Sequence, residues 1–69
     1  MPLTFLARGQ ESTVKEITGK DEVRAHLRSL GFVEGGAVSV VNEVAGNLIV
    51  SVKGTRIALS RGMANRILV

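Results

Sequence analysis

The sequence predicts a mainly β fold: a small, partly open barrel of about five short strands, with one inserted α-helix near residues 21–30 and a short helical turn near 61–65. Three observations carry that prediction. Apolar residues recur at every second position, Val38 and Val40, then Leu48, Val50 and Val52, the spacing of strands with one buried face. Turn signals built on glycine separate these runs at short intervals. One segment alone, Asp21 to Leu30, has helical spacing, with Val23, Leu27 and Leu30 at i, i+4 and i+7.

Taken in order, Ser12 to Ile17 is rich in β-branched residues and ends at Thr18-Gly19, which predicts a first strand and turn. Val14 and Ile17 lie three apart and break strict alternation. For the helix that follows, Thr18 or Asp21 is the expected N-cap, and Gly31 suits the left-handed position just past the C-terminus. The loop Phe32 to Gly36 leads into a strand over Ala37 to Val44, with Val38, Val40 and Val44 expected inward. Ala45-Gly46-Asn47 turns the chain into Leu48 to Val52, and Lys53-Gly54 turns it again into Thr55 to Leu59, with Ile57 and Leu59 inward. Ser60 can cap a helical turn through Arg61-Gly62-Met63-Ala64, in which Gly62 costs about 1 kcal/mol against alanine. Arg66 to Val69 closes the chain as a last short strand. Barrel closure suits a protein of this size, because it removes exposed strand edges.

With 69 residues the chain is expected to form one domain, 1–69, around a single thin core. A domain of that size buries only roughly 60% of the surface of its unfolded chain. There is no cysteine, hence no disulfide framework and no thiolate metal cage. Met1-Pro2-Leu3-Thr4-Phe5 lacks the pattern of a signal peptide, and no apolar run approaches the roughly 18 residues of a membrane span, so any membrane contact is expected to be peripheral. Nine Lys and Arg against six Asp and Glu leave a net charge of +3, which favours anionic partners. The charges are interspersed, however, and Phe5 and Phe32 are the only aromatics, too few for a base-stacking platform.

Catalytic chemistry finds little to work with. His26 is the sole imidazole, so no nucleophile–base–orienter set can be assembled, and neither an enzyme nor a cofactor is expected. Glu22 and His26, at i and i+4, are the one pair that could offer two ligands to a metal; two ligands do not make a site, and a helix-surface pair is the simpler reading. Gly35-Gly36 lacks the rest of a phosphate-binding loop and reads as a turn. What remains is a binding surface. Arg24 and Arg28 lie one helical turn apart, Arg56, Arg61 and Arg66 flank the last strands, and Val41 and Ile49 fall on the parity opposite the core. Arg24, Arg28, Arg56, Arg61, Val41 and Ile49 are therefore the candidate partner-binding residues, the alternative being a merely solubilising charged face.

The ordered set Leu27-x-x-Leu30-Gly31-Phe32-x-x-Gly35, Val38-x-Val40, Ile49-Val50, Ile57-Ala58-Leu59 and Ala64-x-x-Ile67-x-Val69 resembles the ferrous iron transport protein A (FeoA) family, from about Leu3 to Val69. The resemblance implies an SH3-like barrel with an inserted helix, found in the bacterial cytoplasm as an accessory to FeoB, a ferrous iron transporter of the membrane with a cytosolic GTPase domain. A similar domain forms the C-terminal part of repressors of the diphtheria toxin repressor type, so fold alone does not decide the role. With no DNA-binding helical region in these residues, a complete repressor is not expected. The family often has proline where Glu34 stands and Asp-Pro where Gly46-Asn47 stands, which points to a subgroup with partner contacts of its own. The expected role is a regulator that binds FeoB, with self-association through strand edges as a further expectation. Two other readings are a basic SH3-like nucleic-acid-binding module and an iron-responsive regulatory domain, neither favoured by the aromatic and ligand content.

Overall fold

The computed structural model describes Met1–Val69. After a 3-10 helix, Leu3–Phe5, the chain runs β1 (Glu11–Thr13), β2 (Glu16–Ile17), α1 (Asp21–Ser29), β3 (Ala37–Val44), β4 (Asn47–Val52), β5 (Thr55–Ser60), α2 (Arg61–Ala64) and β6 (Ile67–Leu68). One antiparallel sheet has the order β1-β3-β4-β5, and a second pairs β2 with β6. The mainly β architecture with one inserted helix is as the residue pattern predicts.

The expected first strand is divided in two, and the three-residue spacing of Val14 and Ile17 is the cause. Both are buried, at 1% and 4% exposure, yet residues three apart on a straight strand face opposite ways. The chain resolves this by changing sheets. Val14 donates its N–H to the Gly36 carbonyl and accepts from Gly35, on the β3 side. Lys15 donates to Leu68, on the β6 side.

Helix α1 stops where its sequence says it should. Gly31, at φ +111°, donates to the Arg28 carbonyl, and Phe32 donates to Leu27 across 3.1 Å, the paired bonds of a Schellman motif. The motif brings Leu27 and Phe32, both fully buried, to the same core. At the other end the expectation fails: the N-cap is Lys20, without a side-chain bond, rather than Thr18 or Asp21. Thr18 is drawn instead into the β2–β6 ladder, where its N–H and hydroxyl both donate to the Arg66 carbonyl. Asp21 sits in the first turn with Glu22, where negative charge complements the helix dipole.

Strand β3 runs in register with β4 from Val38 opposite Val52 to Val40 opposite Val50, then skips a residue so that Asn42 faces Ile49. Val41 is the extra residue of a β-bulge. The bulge inverts the parity beyond it, and Val44, expected inward, is turned out and 53% exposed. The β3–β4 and β4–β5 hairpins close on two-residue turns in which both residues have positive φ, Ala45-Gly46 and Lys53-Gly54, as type I′ turns demand. Ser60 accepts a hydrogen bond from the Met63 N–H and caps α2 as expected. The last strand is shorter than predicted, Ile67–Leu68, and Met1 and Val69 exchange backbone hydrogen bonds of 3.0 and 2.7 Å beside it.

Fifteen buried side chains, all apolar, form one core that draws on every strand except β1, and on both α-helices. No helix is long and apolar enough to cross a membrane.

Two substitutions test the turn geometry by urea unfolding. Gly31→Ala forces a side chain into positive φ and is expected to cost about 1–2 kcal/mol. Ala45→Asn puts the preferred residue at a type I′ position and is expected to add about 0.5–1 kcal/mol.

Candidate partner-docking surface

The strand register sorts the outward side chains of the large sheet into rows. Ser39, Ser51 and Arg56 form one row; Asn42, Ile49 and Ala58 the next; Val44, Asn47 and Ser60 the last. Side chains opposed in this way have Cβ atoms about 5 Å apart. Because Val41 and Asn42 together oppose Ile49, the middle row gains a second apolar member. Val41, Val44, Ile49 and Ala58 thus make a contiguous apolar strip on the solvent side of β3, β4 and β5. Val41 and Ile49 are half-buried, and Val44 and Ala58 are exposed. At its rim the Arg8 guanidinium donates to Asn42 Oδ1 across 3.0 Å, fastening the loop before β1 to the bulge.

The basic candidates are divided by their partners. Arg24 pairs with Asp21 at 3.5 Å, Arg28 with Glu34 at 3.6 Å and Arg61 with Glu43 at 2.6 Å. The bulge explains the last pair, because it carries Glu43 round to the side on which α2 begins. The pair with Arg28 also gives Glu34 a structural role in the loop between helix and strand. Arg56 alone of the four makes no ion pair and no side-chain hydrogen bond. It lies near the Lys53-Gly54 turn, whereas Arg61 follows the opposite end of β5, so these two do not form one basic cluster. Arg66 lays its aliphatic chain near Gly19.

Glu22 and His26 are both exposed on α1 and form no ion pair with each other, contrary to the expected helix-surface pair. No three His, Cys, Asp or Glu side chains come together as a metal-ligand group anywhere in the chain, and no pocket opens on its surface. Val44 and Ala58 belong to the apolar strip; Ala58 faces outward as its place between the inward Ile57 and Leu59 implies, whereas Val44 escapes a reading by strict alternation. The signal for Val44 was the doublet Val40-Val41, where period two already fails. Phe5, 71% exposed on the 3-10 helix, is a separate apolar projection.

A small barrel with this sheet order and one inserted helix is a domain of the SH3-like class, as a solved neighbour is described. The chain belongs to the FeoA family, whose domain model matches residues 1–69. It is 37% identical over 68 residues to a protein of Methanocaldococcus jannaschii provisionally named Fe(2+) transport protein A, covering 99% of this chain and 83% of the relative. Two solved FeoA structures superpose closely. One, described as an iron uptake regulatory protein, is 33% identical with a TM-score of 0.88, over 96% of this chain and 88% of that one. The other, from Stenotrophomonas maltophilia and described as an SH3 domain protein complexed with zinc, is 31% identical with a TM-score of 0.86, over 99% and 87%. A manganese-dependent transcriptional repressor shares the fold alone, at 21% identity and a TM-score of 0.85 over 39% of its length.

The surface ion pairs are expected to add little to stability. Arg28→Ala and Arg61→Ala, both at half-exposed sites, should each change the free energy of unfolding by less than about 1 kcal/mol, measured by urea titration.

Proposed function

We propose that this protein is a small cytosolic accessory and regulator of ferrous iron uptake that docks on the FeoB transporter, through the transporter's cytosolic GTPase domain. Family membership supports the association with ferrous iron transport. The observation that supports docking is the outer sheet: a fold of this size has 15 core positions to fill, yet Val41, Val44 and Ile49 are spent on the solvent side. Burying such a strip against a partner removes apolar surface from water, at roughly 25 cal/mol per Å², and Arg56 at its border adds electrostatic selection for an acidic surface. Arg24, Arg28 and Arg61 contribute less, since each already has a carboxylate partner. On this reading the protein acts by biasing a conformation of the transporter that it binds better, and the free energy available for regulation is the difference between its affinities for the two states.

Titration calorimetry of the protein against the transporter's cytosolic domain, with and without guanine nucleotide, tests the reading. Saturable binding is expected. Ile49→Asp, folded by circular dichroism, should weaken it by at least about tenfold, the loss typical of a buried interface anchor. Absence of binding in every nucleotide state, or full affinity in Ile49→Asp, contradicts the reading.

A further inference from the structure

Strand β5 is the last strand of the large sheet and pairs on one side only, with β4. In a two-residue hairpin the residues flanking the turn are hydrogen-bonded to each other, here Val52 and Thr55. Counting along β5, Thr55, Ile57 and Leu59 direct their backbone groups to β4, and Arg56 and Ala58 direct theirs away from the sheet. No loop backbone and no side chain bonds to Arg56 or Ala58.

Natural sheets protect such an edge with a proline, a bulge, charged side chains or a covering segment, and of these β5 carries a single charge, the exposed Arg56. Strand β5 has no proline, its register with β4 is unbroken from Thr55 to Ser60, and its inward residues Ile57 and Leu59 are apolar. Arg56 and Ala58 are both exposed. The edge is a regular and open row of donors and acceptors, which only another extended backbone can satisfy.

We propose that the β5 edge accepts an extended segment of a protein partner as an additional strand, and that this segment alternates apolar with acidic residues. The alternation follows from the two faces of the sheet. On the inner face the added strand lies beside Ile57, which is only half-buried and packs against the core together with Met63, so an apolar side chain there extends the core. On the outer face it lies beside Arg56, the candidate guanidinium without a carboxylate, so an acidic side chain completes the pair. A second copy of β5 meets these needs poorly. Thr55-Arg56-Ile57-Ala58-Leu59-Ser60 has no acidic residue, and pairing it antiparallel with itself about Ala58 sets Arg56 against Ser60. The edge selects this chemistry whichever protein supplies the strand.

The test is a nuclear magnetic resonance titration of the isotopically labelled protein with two short capped peptides, one alternating valine with glutamate and one alternating valine with lysine, at millimolar concentration. With the glutamate peptide, the amide protons of Arg56 and Ala58 are expected to shift and to gain protection from exchange. Arg56→Glu should weaken that peptide by at least about threefold and favour the lysine peptide. Ala58→Pro removes an edge N–H at a place where strands tolerate proline, and should abolish binding with the far-ultraviolet circular dichroism retained. If that variant fails to fold, the reversal in Arg56→Glu decides. Equal binding of both peptides, no binding, or shifts confined to the Val44 and Ile49 strip overturns the proposal. So does protection of Arg56 and Ala58 that rises with protein concentration without peptide, which assigns the edge to a second copy.

Discussion

A chain of 69 residues with no cysteine has no disulfide to hold it, and its folded state rests on one core of 15 apolar side chains with no buried polar group among them. So thin a core leaves few contacts in reserve, and every connection that delivers a side chain to it is constrained. The Schellman closure at Gly31 shows the constraint at work: two backbone bonds end α1, and the same reversal sends Phe32 into the core beside Leu27. The paired bonds of Met1 with Val69 act alike at the ends of the chain, holding Leu3 and Val69, both buried, in one cluster.

Much of this was legible from local chemistry. The helix over Asp21–Ser29, the two glycine-containing hairpin turns and the Ser60 cap each depend on residues within a few positions of one another. What escaped depends on partners far away in sequence. The division of the first strand at Val14 is decided by Gly35, Gly36 and Leu68, and Thr18 is drawn away from the N-cap by Arg66, 48 residues on. The bulge at Val41 belongs in part to both classes, since Val40-Val41 broke the alternation, but only the pairing with β4 shows which residue is extra. The candidate surface was legible to the same degree. Val41 and Ile49 lie on the outer face as parity implied, whereas the pairing of Arg61 with Glu43 joins residues 18 apart and could not be read locally.

The bulge links the fold to the surface. One extra residue in β3 turns Val44 outward, brings Glu43 round to Arg61, and sets Val41 next to Asn42 opposite Ile49. Without it, strict alternation would point Val44 into the barrel and leave the outer sheet less apolar. The same sheet ends in the unpaired edge of β5, so the apolar strip and the open backbone groups are contiguous through Ile49 and Ala58. Stability and the proposed docking thereby fall on opposite faces of the same strands: Leu48, Val50 and Val52 point into the core, and their neighbours in sequence face the solvent.

The most direct test of the account is to map the contact itself, by cross-saturation from the unlabelled cytosolic domain of the ferrous iron transporter to the amides of the labelled protein. Signal loss is expected to concentrate on residues 41–44, 47–51 and 56–58, with the exposed face of α1 that carries Glu22 and His26 unaffected. Signal loss centred on α1, with the outer sheet unchanged, would contradict it.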